Sequence, residues 1–287
     1  MKIRVKFTVL ASLLLFIAAA TSVSAAETVA AGLHTDIEFA KVGDVSLTLD
    51  AFVPEGKGPF LTVIFVHGGG FTKGDKQSYI KPLFKPVSQA GMTWFSINYR
   101  LAPEHRWPAC AEDVDTAIRW VKTHAAEYKV DPDRIALIGE SAGGFLVTYA
   151  AATAKDDTRV NAIVPFYGAH DRAFQTTHFN KLGESTKALF GITELNNEAW
   201  NLLRETSSTT HLHAGMPSCL LIHGDQDPQV PLEQSVRFQK RMQELGNHCE
   251  LITIPGGGHG MGGWSKLNSD YQAQMIAWLK KTLADQK

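Results

Sequence analysis

The chain has 287 residues, of which 44% are apolar and 20% are charged. This composition is typical of a globular protein with a large core, and it excludes an intrinsically disordered chain. The formal net charge is −1, and no basic block or stripe occurs along the sequence. The sequence therefore gives no electrostatic indication of a nucleic-acid partner.

The first 25 residues have the features of a secretory signal peptide. Lys2, Arg4 and Lys6 precede an apolar run, residues 7–20, that is short for a membrane span. Small residues at positions 23–25 predict cleavage after Ala25, with an uncleaved membrane anchor as the alternative. Cleavage would leave an exported catalytic domain, residues 26–287, in a periplasm or outside the cell, with no stable membrane partner.

Two kinds of strand pattern follow in the chain. Residues 45–53 alternate between apolar and polar, which predicts a half-buried strand near a sheet edge. Later runs are continuously apolar, as expected for parallel strands covered on both faces. These runs are residues 63–66, 135–138, 162–164 and 220–222, with a weaker example at 251–254.

Helical patterns separate these strands. Val114, Ala117, Ile118 and Val121 fall on one helical stripe, and residues 231–245 and 271–283 also indicate helices. Alternating strands and helices predict an α/β fold with a mainly parallel central sheet and helices on both faces. Residues 170–215 contain helical fragments, near 186–190 and 197–204, but no buried strand. We interpret this segment as a small helical cap, and a loose surface excursion is the alternative.

The sequence Gly139-Glu140-Ser141-Ala142-Gly143 matches the G-x-S-x-G nucleophile elbow. A buried strand precedes it and an apolar helix follows, which is the context that this motif requires. The strained turn exposes the serine side chain at the edge of the sheet. Ser141 is therefore the predicted nucleophile.

A glycine-rich loop, residues 67–71 (HGGGF), follows another buried strand. Acyl transfer creates negative charge on a carbonyl oxygen, and backbone N–H groups must point at that oxygen. We predict an oxyanion hole formed by the amides of Gly69, Gly70 and Ala142. Phosphate binding is the alternative for such a loop, but the lysine-serine or lysine-threonine pair that a P-loop requires does not follow it.

A serine nucleophile needs a histidine base that is held by a carboxylate. His259 lies just after the last predicted strand, and Asp225 and Asp227 follow the strand before it. We assign Asp227 as the acid because it stands farther into the loop, toward His259. Asp225 is the competing candidate, and we expect it to form hydrogen bonds within its own loop.

Several further residues have either a functional or a purely structural interpretation. Phe71, Phe166, Tyr167 and Trp264 are candidate walls of the substrate pocket, and core packing is the equally weighted alternative. His211 and His213 could bind a metal, but no matching ligand motif supports this, so we predict no metal site. The three cysteines, Cys110, Cys219 and Cys249, are not needed as disulfides in a core of this size.

Six motifs together carry a resemblance to a known family. They are HGGGF with Gly74-Asp75-Lys76, residues 99–105 (YRLAPEH), 131–135 (DPDRI), 139–144 (GESAGG), 223–231 (HGDQDPQVP) and 256–260 (GGGHG). The chain resembles the α/β-hydrolase esterases related to hormone-sensitive lipase, and it is most similar to the bifunctional acetyl and feruloyl esterase (BD-FAE) group. One departure is Glu140, where many relatives have aspartate.

The resemblance implies an α/β-hydrolase fold and a cofactor-free carboxylic-ester hydrolase. It assigns Ser141, Asp227 and His259 to a catalytic triad, with small-molecule or carbohydrate esters as substrates. The mostly polar residues 170–215 favour a soluble carbohydrate ester over a lipid, and the aromatic pocket candidates lead us to expect short acyl or aromatic acyl groups. An amide or peptide hydrolase is the alternative within enzymes, and a non-catalytic binding protein is disfavoured because the triad residues are all present.

Overall fold

The computed structural model describes residues 28–284, so the signal-peptide prediction lies outside the described residues. The described chain forms one eight-stranded sheet. Its strands are β1 (Gly32–Val42), β2 (Val45–Val53), β3 (Phe60–Val66), β4 (Thr93–Ile97), β5 (Val130–Glu140), β6 (Ala162–Phe166), β7 (Ser218–Gly224) and β8 (Cys249–Ile254). The helices are α1 (Phe84–Gln89), α2 (Ala109–Thr123), α3 (Ala142–Ala152), α4 (Arg172–Phe179), α5 (Glu184–Phe190), α6 (Asn197–Glu205), α7 (Glu233–Glu244), α8 (Trp264–Leu267) and α9 (Tyr271–Ala284).

The strands are arranged in the order β1-β2-β4-β3-β5-β6-β7-β8. β1 and β2 form an antiparallel hairpin, and β2 pairs antiparallel with β4. Every neighbouring pair from β4 to β8 is parallel. The predicted mainly parallel α/β sheet is thus confirmed.

The first strands differ in detail from the prediction. Residues 45–53 form β2, which lies second from the edge because β1 pairs along its outer side. Neither β1 nor β4 is predicted from the apolar pattern. Most side chains of β1 are at least partly exposed, and Thr93 and Ser96 interrupt the apolar run of β4 although all five of its residues are buried.

Two apolar layers sandwich the sheet, because successive side chains of a strand point to opposite faces. Val63 and Phe65 of β3 belong to a layer that includes residues of α1 and α9. Ile64 and Val66 belong to the other layer, with residues of α2, α3 and α7. The predicted helical stripe of α2 is buried in this second layer.

Between β6 and β7 the chain forms three short helices, α4, α5 and α6, followed by a 3₁₀ turn at Ser208–Thr210. We call residues 170–215 the inserted segment. Asp171 and Asn196 begin α4 and α6 by accepting hydrogen bonds from the amides of Phe174 and Ala199. The predicted helical fragments near 186–190 and 197–204 correspond to α5 and α6, whereas α4 is additional.

Within residues 28–284, no helix is both long and apolar enough to cross a membrane. Cys110, Cys219 and Cys249 are all buried and carry free thiols. Cys219 and Cys249 are partners in the parallel pairing of β7 with β8.

Candidate active site

Ser141 lies at a sharp turn between β5 and α3. Its backbone has a φ of 53° and a ψ of −113°, a combination that residues with side chains rarely adopt. The turn requires small neighbours, because a Cβ atom on Gly143 would collide with the carbonyl oxygen of Val66. A Cβ atom on Gly139 would likewise collide with the Gly143 carbonyl. The elbow sequence therefore meets the steric demands of this turn.

The structure brings the three residues predicted as a triad into one hydrogen-bonded chain. The Ser141 hydroxyl lies 2.9 Å from His259 Nε2 and can donate to it. His259 Nδ1 donates to Asp227 Oδ2 at 2.7 Å. Both bonds fit the neutral imidazole tautomer that carries its proton on Nδ1.

The Asp227 carboxylate is fully buried and is held by several donors. The amides of Gln229 and Val230 donate to Oδ1 at 2.8 and 2.9 Å, and His223 Nε2 lies 3.5 Å from Oδ2. Burial alone would raise the pKa of Asp227, but hydrogen bonds from His223 and His259 outweigh burial, so the pKa lies well below its usual range. Asp227 therefore remains ionised and can stabilise a protonated His259.

Asp225 has a different role. It is exposed, and its Oδ1 accepts a hydrogen bond from the amide of Gly256 at 2.7 Å. This bond connects the loop after β7 with the loop after β8, rather than lying within its own loop as predicted.

The glycine-rich loop after β3 lies beside Ser141. Gly69 and Gly70 have positive φ values of 99° and 64°, a conformation that glycine adopts without strain. In the part of the chain that the structure describes, neither amide donates to a backbone carbonyl. Ala142 is the first residue of α3, so its amide has no partner within the helix. These three amides are available to bind an anionic oxygen.

The base of this loop is braced by two rings. His67 and Tyr99 stack with their centroids 4.2 Å apart, and the Tyr99 hydroxyl donates to the His67 carbonyl at 3.0 Å. His67 Nδ1 donates to the Gly68 carbonyl at 2.7 Å. Burial lowers the pKa of His67 to about 4, so the imidazole is neutral at pH 7.

A cavity of about 650 Å³ opens onto Ser141 and His259. The glycine-rich loop and Ala142 line one part of it, and residues of the inserted segment line another. The contributing residues from the inserted segment are Arg172, Gln175, Thr176, Phe179, Lys181, Gly183, Ser185 and Thr186. The segment predicted as a cap therefore forms part of the wall around the nucleophile.

The four aromatic residues proposed as pocket walls have different locations. Phe71 lines the cavity. Phe166, Tyr167 and Trp264 are almost fully buried and do not contribute to the cavity wall among the described residues, so their assignment as pocket walls is wrong. Tyr167 and Trp264 support the base instead. The Tyr167 ring lies 4.8 Å from that of His259, and Trp264 Nε1 donates to the Gly258 carbonyl at 3.2 Å.

The histidines considered as metal ligands form hydrogen bonds to the backbone. His211 Nε2 donates to the Glu205 carbonyl at 2.6 Å, and His213 Nδ1 donates to the Ala214 carbonyl at 2.8 Å. Within residues 28–284, no group of three or more His, Cys, Asp and Glu side chains could hold a metal ion.

Comparison with known families and structures identifies the relatives of this chain. The BD-FAE family model matches residues 49–242, which is more than half of the sequence. The chain belongs to the BD-FAE family. The predicted resemblance is therefore confirmed.

Curated relatives of this BD-FAE member carry esterase names. The probable carboxylic ester hydrolase LipM of Mycobacterium tuberculosis is 33% identical over 190 residues, covering 63% of this chain and 44% of LipM. Esterase LipC of the same organism is 30% identical over 214 residues, covering 70% of this chain and 53% of LipC. The chain spans about half the length of these relatives.

Solved structures of similar shape are also esterases. A truncated carbohydrate esterase from gut microbiota matches with a TM-score of 0.77 and 26% identity, covering 89% of this chain and 97% of that one. A thermophilic esterase from Thermogutta terrifontis matches with a TM-score of 0.68 and 26% identity, covering 87% and 90%. The chain therefore has the α/β-hydrolase fold.

Two buried charged residues of the cavity, Glu140 and Arg172, were not assigned roles from the sequence. Glu140 is buried, its Oε1 has no hydrogen-bond partner in the described chain, and burial raises its pKa. Arg172, at the start of α4, is also buried within the cavity wall. Only the elbow motif draws attention to Glu140, and nothing in the local sequence distinguishes Arg172 from an ordinary surface arginine.

Proposed function

We propose that this chain is a serine carboxylesterase that works through an acyl-enzyme, with Ser141 as nucleophile, His259 as base and Asp227 as the orienting acid. The observation that carries the proposal is the continuous hydrogen-bonded chain from Ser141 through His259 to Asp227, at 2.9 and 2.7 Å. The esterase names of the relatives support the same reaction class.

Acylation begins when the Ser141 oxygen attacks the ester carbonyl carbon and His259 Nε2 takes the hydroxyl proton. The tetrahedral intermediate then collapses, the bond to the alcohol oxygen breaks, and His259 returns the proton to the departing alcohol. The acyl group remains on Ser141. Ionised Asp227 stabilises the imidazolium that exists between these two proton transfers.

Deacylation repeats the sequence with water. His259 takes a proton from the attacking water, and the second tetrahedral intermediate releases the acid as Ser141 recovers its proton. In both halves the negative oxygen would be bound by the amides of Gly69, Gly70 and Ala142. Donors aimed at developing charge in this way are worth about 100- to 1,000-fold in rate each.

The proposed substrates are soluble esters with short acyl or aromatic acyl groups, including those on carbohydrates. The cavity of about 650 Å³ has room for more than the reacting ester group, and polar side chains contribute to its wall. The similar solved structure from gut microbiota is named as a carbohydrate esterase. We also propose that the enzyme is exported, on the signal-like pattern of residues 1–25.

The first test is hydrolysis of p-nitrophenyl acetate by the protein purified after export. We expect Ser141→Ala to lower kcat by about 10,000-fold while the protein stays folded, because only a hydroxyl is lost. A serine-directed organophosphorus reagent should add once, at Ser141. The intact mass of the exported protein should correspond to a chain that begins at Ala26. Activity of Ser141→Ala within tenfold of wild type, or labelling at another residue, would exclude Ser141 as the nucleophile. Retention of residues 1–25 in the exported protein would exclude the proposed cleavage site.

A further inference from the structure

Arg172 is a buried cation in the wall of the cavity that contains Ser141. Its exposed fraction is 4%, and its Nε and Nη2 atoms are buried without a hydrogen-bond partner in the described chain. Across residues 28–284, no acidic side chain lies within ion-pair distance of it. Buried arginines are ordinarily paired with an anion, so this one lacks the partner that its burial demands.

Three phenylalanine rings surround the guanidinium. Its central carbon lies 3.9 Å from the ring centroid of Phe145, 4.7 Å from that of Phe71 and 5.4 Å from that of Phe190. Ring faces attract a cation but cannot accept its N–H hydrogen bonds in the plane of the guanidinium. The rings therefore hold the group in place and leave its donors unused.

The position of these rings ties Arg172 to the reacting centre. Phe71 is the last residue of the glycine-rich loop and directly follows Gly70. Phe145 lies one turn of α3 beyond Ser141, and its amide donates to the Ser141 carbonyl at 3.0 Å. A ligand group bound by Arg172 would occupy the same cavity as the ester attached to Ser141.

The charge of the cavity wall favours an anion. Lys73, Arg172 and Lys181 contribute positive charge, and Glu140 is the only acidic residue in the wall within the described chain. Burial lowers the pKa of Arg172 only to about 10, so the guanidinium remains protonated at neutral pH. A concave site with an excess of one sign of charge concentrates ligands of the opposite sign.

We infer that Arg172 binds a carboxylate on the substrate, so that this cavity selects esters that carry an acidic group. This inference rests on the proposed esterase function and adds a substrate class to it. A carboxylate offers two oxygens to the planar fork of N–H donors, which is the geometry that favours arginine over lysine. The carboxylate could belong to the acyl group or to the alcohol.

Two matched substrate pairs distinguish these sources. For the acyl side, p-nitrophenyl hydrogen glutarate is compared with p-nitrophenyl pentanoate, which replaces the carboxylate by a methyl group. For the alcohol side, mono-O-acetylated glucuronate is compared with mono-O-acetylated glucose. In one of these pairs, we expect wild type to show a kcat/KM about 10-fold or more higher for the acidic ester.

Arg172→Gln should reduce that ratio to about 1, because the neutral amide cannot make charge-assisted bonds. Arg172→Lys should keep an intermediate ratio, since it retains charge without the fork. The matched control is Arg237→Gln. Arg237 also lies over a phenylalanine ring, at 4.4 Å from the centroid of Phe174, but it does not line this cavity. The control should keep the wild-type ratio.

A binding measurement covers the case in which Arg172→Gln does not fold or no ester is hydrolysed. Calorimetric titration of Ser141→Ala with methyl hydrogen glutarate and glucuronate, against methyl pentanoate and glucose, should show tighter binding of at least one acid than of its neutral partner. Adding Arg172→Lys to that protein should weaken binding of that acid. If none of the four esters is hydrolysed but an acid still binds more tightly than its neutral partner, only the proposed esterase function is rejected. Hydrolysis without preference in either pair, or an acid-to-neutral ratio unchanged in Arg172→Gln, would reject the role of Arg172.

Discussion

Asp225 and Asp227 are the same residue type, two positions apart in one loop, yet their carboxylates have different surroundings. Asp227 is buried and accepts a hydrogen bond from His259, whereas Asp225 is exposed and accepts one from the amide of Gly256. The pKa of Asp227 lies below its usual range, because hydrogen bonds from His223 and His259 overcome the effect of burial. Position in the loop, rather than residue type, sets the role of each acid.

Asp227→Asn should therefore lower kcat by about 1,000- to 10,000-fold, with KM nearly unchanged. An asparagine in that place can present its amide to His259 Nδ1, which favours the tautomer that cannot accept the Ser141 proton. Steady-state kinetics with a soluble acetyl ester measures the loss.

Asp225→Ala is the matched variant for this experiment. It removes one hydrogen bond, at a cost of about 1 kcal/mol in the free energy of unfolding, and should leave kcat within about threefold of wild type. If Asp225→Ala lost activity and Asp227→Asn retained it, the triad acid would be misassigned.

At the scale of secondary-structure elements, the site depends on contacts between the loops that follow neighbouring strands. Tyr99 comes just after β4, whereas His67 and Gly68 come just after β3. The Tyr99 hydroxyl lies 3.0 Å from the His67 carbonyl and 3.2 Å from the Gly68 carbonyl. The Tyr99 ring also stacks on His67. The tyrosine thus fixes the base of the loop that presents Gly69 and Gly70.

Tyr99→Phe should keep the ring stacking and lose the two hydroxyl contacts. Small displacements of the Gly69 and Gly70 amides weaken binding of the transition state more than binding of the ester. We expect kcat to fall by about 10-fold while KM changes by less than about twofold.

Tyr128→Phe is the control, because Tyr128 packs against Phe95 and Trp120 and does not line the cavity. It should have kinetic constants close to those of wild type. Equal changes of kcat in the two variants would mean that Tyr99 has no special relation to the oxyanion loop.

The elements that the sequence predicts well are those with one dominant local signal. β3, β5, β6 and β7 contain continuous apolar runs, and the elbow has a spacing that few other structures require. β4 contains Thr93 and Ser96, whose burial depends on neighbouring strands that a local pattern does not reveal.

The cavity wall could not be predicted in the same way. Trp264 is five residues from His259 in the sequence, and Phe166 and Tyr167 lie at the end of β6, yet all three rings pack in the core. Arg172 is not near any triad residue in the sequence, yet its guanidinium lies among rings from three different segments. Which side of an element faces the cavity depends on how distant segments pack together.

At the scale of the whole molecule, two buried imidazoles, His67 and His170, have lowered pKa values in the folded protein. Burial, with a smaller contribution from His223, lowers the pKa of His170 from 6.5 to about 3. Burial also lowers the pKa of His67 from 6.5 to about 4, although its bond to Gly68 and the charge of Asp75 oppose this change. Both rings remain neutral at pH values where the unfolded chain takes up protons.

Stability should therefore fall as the pH decreases from about 6.5 toward 4, because the unfolded chain binds protons that the folded chain excludes. A histidine with a lowered pKa in the folded state contributes stability above its unfolded pKa and loses it as the pH falls through the folded pKa. Between pH 6 and pH 5, His67 and His170 should each lower the free energy of unfolding by about 1 kcal/mol. Asp227, whose pKa is also lowered, adds a further loss only below about pH 4.

His170→Phe tests this account, because it keeps a ring at a fully buried position and removes the titrating group. The variant loses the bond between His170 Nδ1 and Thr148, so its stability at pH 7 should be lower. Its loss of unfolding free energy between pH 6 and pH 5, measured by urea denaturation followed by tryptophan fluorescence, should be about 1 kcal/mol smaller than that of wild type.

Phe238→Leu is the control. The ring centroid of Phe238 lies 4.6 Å from that of His170, and replacing this ring should lower stability by about 1 kcal/mol at both pH values. Parallel curves for wild type and His170→Phe would show that the buried imidazole does not produce the acid sensitivity.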